Sequence, residues 1–135
     1  MSNQDYSANN CFVCGPDNPI GLRIQFHMHN DICRGSFTPS ENHMGYKNVT
    51  HGGIVFSLLD DVMANWLFLQ NKVAQTAKCD LRYRKPLPIN TKVNLEGTCI
   101  KQKGKVAFMY GKVISDINDE LIAESHAKFM IISDL

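Results

Sequence analysis

At 135 residues the chain has the size of one domain, and an apolar content of 44% supports a packed core. A net charge of +1 with 20% charged residues gives no basic or acidic excess, which argues against nucleic acid or an anionic membrane surface as the partner. No run of about 18 apolar residues occurs, so no membrane span is expected. The polar start lacks an apolar signal core, and five cysteines, an odd number, suit a reducing cytoplasm better than a disulfide framework.

Residues 1–10 read as a polar arm ahead of a single domain over residues 11–135. The domain opens on Cys11-Phe12-Val13-Cys14-Gly15-Pro16-Asp17-Asn18-Pro19, a turn-rich loop. Its Cys-x-x-Cys pair supplies two of the four ligands a structural zinc needs, and no second close pair follows. Packing of two small side chains against the core is the simpler reading, and no metal is assigned. Leu22 to His29 alternates apolar and polar, as a half-buried strand does. Asn30-Asp31 marks a tight turn, and Ile32 to Thr38 returns as the second strand of a hairpin.

After a loop over residues 39–50, His51-Gly52-Gly53 opens a helix with apolar residues at Ile54, Val55, Leu58, Leu59, Val62, Met63, Trp66 and Leu67. The stripe is too wide for a surface helix, so other structure must wrap it. Asp60 and Asp61 interrupt it, and buried carboxylates are costly unless paired or functional. They point about 100° apart around a helix, so they cannot do the same job. Asp60 shares a side with Phe56, Met63, Ala64 and Leu67, whereas Asp61 lies toward Ser57 and Asn65 and is read as bonded to a loop or an interface. Asn71 closes the helix.

The rest is strand-like: Gln75 to Tyr83, stopped by Pro86 and Pro88; Thr91 to Lys101, with Gly97 as a bulge; Val106 to Ile114 after a Lys103-Gly104 turn; and Leu121 to Ile132 after Asp116–Asp119. Read as consecutive hairpins, they predict an α+β fold, a curved antiparallel sheet wrapped around one central helix.

With its elements in this order, the chain resembles the hotdog-fold acyl-CoA thioesterases, in particular the phenylacetate-degradation, 4-hydroxybenzoyl-CoA thioesterase-like type. The residues that carry the resemblance are His43-Met44-Gly45-Tyr46-Lys47-Asn48-Val49-Thr50-His51-Gly52-Gly53 and Leu58-Leu59-Asp60. The specific element is His-Gly-Gly, four residues, Leu, any residue, Asp. Thr76 through Tyr83 to Pro86, Gly104-Lys105 and Asp116 through Ala123 extend it, so that about residues 11–132 are covered.

The resemblance implies hydrolysis of a small to medium acyl- or aryl-acyl-CoA, with no metal or redox cofactor. It implies two subunits whose sheets join, active sites at the dimer interface and pairs of dimers as tetramers. It assigns the oxyanion donor to the Gly53 N–H at the helix start, where the dipole favours negative charge. Asp60 is then general base or nucleophile, and Thr76 orients the attacking water. His51 takes a positioning role, since it lies nine residues from Asp60. Gly52, His43 and Asn48 belong to the substrate loop, Asn48 standing where relatives often carry Gly. Arg84, Lys85, Lys103 and Lys105 are candidates for the CoA phosphates, and Met44, Met63, Trp66 and Phe68 for an acyl pocket. Gly45 departs from relatives that carry Asn there, which removes one side-chain contact. A carrier-protein thioesterase and a non-catalytic acyl-CoA-binding module are the alternatives, and retention of Asp60 argues against the second.

Overall fold

A computed structural model describes residues 6–135, so the first half of the N-terminal arm lies outside the described residues. The elements are β1 (His27–His29), β2 (Ile32–Phe37), a 3₁₀ turn (Glu41–His43), α1 (Gly52–Phe68), β3 (Lys72–Tyr83), β4 (Val93–Lys103), β5 (Val106–Ser115) and β6 (Leu121–Asp134). The strands form one antiparallel sheet in the order β1-β2-β4-β5-β6-β3. It curves around α1, which touches β2 to β6. This is the hotdog arrangement that the resemblance implies.

Local chemistry explains most boundaries. Asn30 and Asp31 both have positive φ, 51° and 63°, the backbone of a two-residue hairpin turn whose twist suits the strands. Asn71, at φ 66°, reverses the chain from α1 into β3. Leu58, Leu59, Val62, Met63 and Leu67 are wholly buried, each full burial contributing about 1.5–3 kcal/mol. None of the described helices is long and apolar enough to cross a membrane.

Three expectations change. The strand predicted from Leu22 shrinks to His27–His29. Ahead of it, the amides of Leu22 and Ile24 donate to the carbonyls of Phe12 and Val13, at 2.8 and 2.9 Å, so this segment pairs with the cysteine loop and not with the sheet. The alternation reported burial correctly, since Ile24 is in the core, but burial does not name the backbone partner. Second, β3 and β4 are not a hairpin: β3 closes on β6 at the far edge, and the chain crosses back to pair β4 with β2 and β5. Third, Gly97 is not the bulge. It pairs in register with Cys33 and Gly111, and the ladder slips between Cys99 and Lys101. Gly97 is required because α1 lies on it: a Cβ there would stand 2.5 Å from the Val62 carbonyl oxygen.

Candidate active site

The start of α1 is built by His51. Its Nδ1 accepts the Gly53 N–H at 2.8 Å, making the imidazole the N-cap of the helix. The positioning role is therefore local and structural. Gly53 carries its N–H toward His51, while the Gly52 N–H has no hydrogen-bond partner among the described residues. Both glycines are exposed. Tyr83, on β3, donates its hydroxyl to the Gly52 carbonyl at 3.0 Å and ties the helix start to the sheet edge. Sequence reasoning missed Tyr83, because only the register of β3 beside α1 reveals it.

The loop before the helix is held by its own polar groups. His43 Nδ1 accepts the Ser40 N–H at 2.8 Å, and the ring packs edge-on against Phe37, with centroids 5.1 Å apart. The His43 carbonyl accepts the His51 N–H at 2.8 Å. His43 thus shapes the entry to α1, and its side chain is committed to the loop. Asn48 has φ 64°, the left-handed conformation anticipated for a position that favours glycine.

Asp60 and Asp61 separate sharply. Thr76, on β3, donates its hydroxyl to Asp60 Oδ1 at 2.6 Å, which joins two of the predicted residues across an exposed face. Asp61 turns the other way: Asn65 Nδ2 donates to its Oδ2 at 3.0 Å, and the Cys11 thiol lies 3.7 Å from Oδ1. Burial pushes the Asp61 carboxyl above the usual carboxylate range, opposed in part by bonds from Cys14, Cys11 and Asn65. The loop reading of Asp61 holds, and the loop is the cysteine segment.

One chain does not assemble the whole set. Gly53 and Asp60 share a helix face but lie seven residues apart, about 10 Å along the axis. The basic candidates divide likewise. Arg84 and Lys85 follow Tyr83 at the Gly52 end, where they already pair with Glu124 at 2.6 Å and Glu120 at 2.9 Å. Lys103 and Lys105 flank the β4–β5 turn, and the Lys105 carbonyl accepts the Ile131 N–H opposite the start of β3, near Thr76. The acyl-pocket candidates do not form a pocket. Met63 is fully buried against Gly111, and Trp66 Nε1 donates to the Asp31 carbonyl at 2.8 Å. A cavity of about 740 Å³ lies beside the cysteine loop, and neither Gly53 nor Asp60 lines it.

Known proteins share the fold and the family that these elements indicate. A family model described as the thioesterase superfamily matches residues 47–122, which include the helix start, Asp60 and Thr76. An uncharacterized protein of Schizosaccharomyces pombe is 25% identical over 96 residues; this covers 70% of the chain but only 49% of that protein, so the chain spans about half the length of its curated relative. A solved thioesterase superfamily protein superposes with a TM-score of 0.81 at 24% identity, covering 87% of this chain and 61% of that one. The Escherichia coli PaaI protein of the phenylacetic acid degradation operon gives 0.77 at 18%, over 84% and 82%. A hypothetical thioesterase of Streptococcus pneumoniae, solved with coenzyme A, gives 0.77 at 13%, over 82% and 90%. That protein was also solved with alanine replacing an aspartate and, separately, a threonine. With more than half its length matched by the family model and its fold shared with these structures, the chain belongs to the thioesterase superfamily.

Proposed function

We propose that the protein hydrolyses a small to medium acyl- or aryl-acyl-CoA to the free acid and CoA, with Asp60 as general base on water. The 2.6 Å hydrogen bond from Thr76 to Asp60 carries this reading. It occupies Oδ1 and leaves Oδ2 to take a proton, while the lone pairs of the Thr76 hydroxyl accept from the same water. Asp61, turned into the cysteine loop, is left out of the chemistry. A nucleophilic Asp60 is the variant mechanism, and it needs the same half-buried carboxylate.

Water attacks the thioester carbonyl as Asp60 takes its proton. The oxyanion is received at the amide end of α1, where the dipole and the open Gly52 N–H favour negative charge. The Gly53 N–H serves by exchanging His51 Nδ1 for the substrate oxygen, and the open Gly52 N–H stands beside it. Collapse expels CoA thiolate, which recovers the proton from Asp60. Water, one carboxylate and backbone amides suffice for these steps.

Because about 10 Å separate Gly53 from Asp60 along one helix, the site is completed by a second copy, the helix start of one subunit facing Asp60 of the other. The unpaired edge of β3, 12 residues long, supports this, since such an edge invites a matching strand. Pairing of that kind also brings Arg84 and Lys85 of one copy toward Lys103 and Lys105 of the next, a basic set suited to CoA phosphates.

The test is thiol release across a panel of acyl-CoAs, with Asp60→Asn as control and Gly52→Pro against Gly53→Pro to identify the donor amide. Proline deletes the N–H at first-turn positions that tolerate it. No release from any acyl-CoA by the wild type would refute the reading and favour a carrier-protein substrate or a binding module.

A further inference from the structure

The cysteine loop meets α1 at a cluster that the thioesterase reading does not use. Cys11, Cys14 and Asp61 each offer one ligand atom, and these three atoms lie within 4.8 Å of one another. We propose that Cys11, Cys14 and Asp61 form a zinc site that fastens the loop ahead of β1 to the middle of α1. The sequence supplied only the thiol pair; the third ligand comes from fifty residues away, through the fold.

The loop is shaped around the Cys11 sulfur. The Cys14 N–H donates to Cys11 Sγ at 3.5 Å, and the Gly15 N–H donates to the Cys11 carbonyl at 2.9 Å. Only glycine fits at position 15, where a Cβ would stand 2.3 Å from the Cys11 nitrogen. Asp61 is aimed from the other side. Asn65 Nδ2 donates at 3.0 Å to both its Oδ2 and its backbone carbonyl, which fixes the carboxylate, and Oδ1 faces Cys11 Sγ at 3.7 Å. A tetrahedral zinc with bonds of about 2.3 Å to sulfur and about 2.0 Å to oxygen sets its ligand atoms about 3.3–3.8 Å apart, close to this spacing.

The electrostatics lack a cation. Among the described residues no Lys, Arg or His pairs with Asp61. A divalent ion would supply the missing positive charge. Two thiolates with one carboxylate select zinc over the hard, oxygen-seeking calcium and magnesium. The fourth position opens on a cavity of about 130 Å³, lined also by Ala8, Lys72 and Ala74, with room for water. On binding, each thiol gives its proton to solvent, two sulfur–zinc bonds and one oxygen–zinc bond form, and five of the six waters of the aquo ion leave, one remaining in the fourth position.

This site is independent of the hydrolytic reading. Full-length protein, reduced and stripped with EDTA, is titrated anaerobically with Co²⁺ and then Zn²⁺. We expect thiolate-to-cobalt charge-transfer bands that saturate at one ion per chain, bleached by zinc, and a rise in melting temperature on zinc addition. Cys11→Ser with Cys14→Ser abolishes the bands, and Asn65→Ala, which frees the Asp61 carboxylate, weakens zinc binding by about 10–100-fold. Reduced wild-type protein that shows no charge-transfer band overturns the proposal, and so does equal metal uptake by the double serine variant.

Discussion

Two neighbouring aspartates, Asp60 and Asp61, divide between two tasks because a helix turns them about 100° apart. Asp60 meets Thr76 on the exposed face and Asp61 meets the cysteine loop. Asp60→Asn should lower kcat by about 10²–10⁴-fold with the melting temperature little changed. Thr76→Ala should lower kcat by about 10-fold, the worth of one hydrogen bond to a charged group. Steady-state thiol release on the two variants checks both. If Asp61→Asn abolishes turnover while Asp60→Asn leaves it intact, the assignment is reversed. The division was legible in the sequence, since Ser57 and Asn65 mark one side of the helix as polar. The identity of Asp61's partner was not, because a loop fifty residues upstream leaves no periodic trace in a helix. His51 shows the same limit: its spacing from Asp60 argued for positioning, but only the folded loop makes it the N-cap.

Among the elements, the contact of α1 with the sheet rests on a pair of glycines. Gly97 on β4 and Gly111 on β5 are register partners beneath the helix. A Cβ at Gly97 would meet the Val62 backbone carbonyl at 2.5 Å, while at Gly111 it would meet the Met63 side chain, at Cγ, at 3.0 Å. Gly97→Ala should therefore destabilise by about 1–3 kcal/mol and Gly111→Ala by less, read from urea midpoints. Helix, strands and tight turns were legible because each has a local period or a local turn residue. The partner of each strand was not. Alternation along Leu22–His29 and glycine at position 97 register burial and close approach, and both are silent about which backbone lies alongside. Strand β6 adds a titrating group between β5 and the residue that follows β3. Glu124 accepts from the Tyr110 hydroxyl at 2.8 Å and pairs with Arg84, and both contacts hold its carboxyl below the usual range, Tyr110 most. Desolvation and the same contact push the Tyr110 hydroxyl up to about 12. A depressed carboxyl contributes stability in full above its unfolded pKa of about 4.3 and loses it as pH falls through the folded value. Glu124→Gln should flatten the acid limb of stability against pH, measured by denaturant midpoints across that range.

For the molecule as a whole, the proposed sharing of the site between copies predicts complementation. Asp60→Asn and Gly53→Pro each disable a different half. Mixed subunits should recover roughly a quarter of wild-type turnover, since half of randomly paired dimers are mixed and each then holds one intact site. Separately purified variants, unfolded together and refolded, supply the assay. No recovery would mean that each chain carries its own complete site. The resemblance, and not the residue pattern alone, pointed to this sharing, because nothing in a single sequence records which surfaces meet a second copy.

The crossover that sends β3 to the far edge of the sheet also bears on how the protein comes into being. The partner of β3, Leu121–Asp134, is synthesised last among the elements, so the ribosome delivers α1 and β3 long before β6 can cover them. During that interval an apolar helix and a twelve-residue strand wait without their neighbours. The sheet around α1 therefore closes only once Leu121–Asp134 has been made, and until then the span from Gly52 to Leu121 keeps apolar surface that β6 will cover.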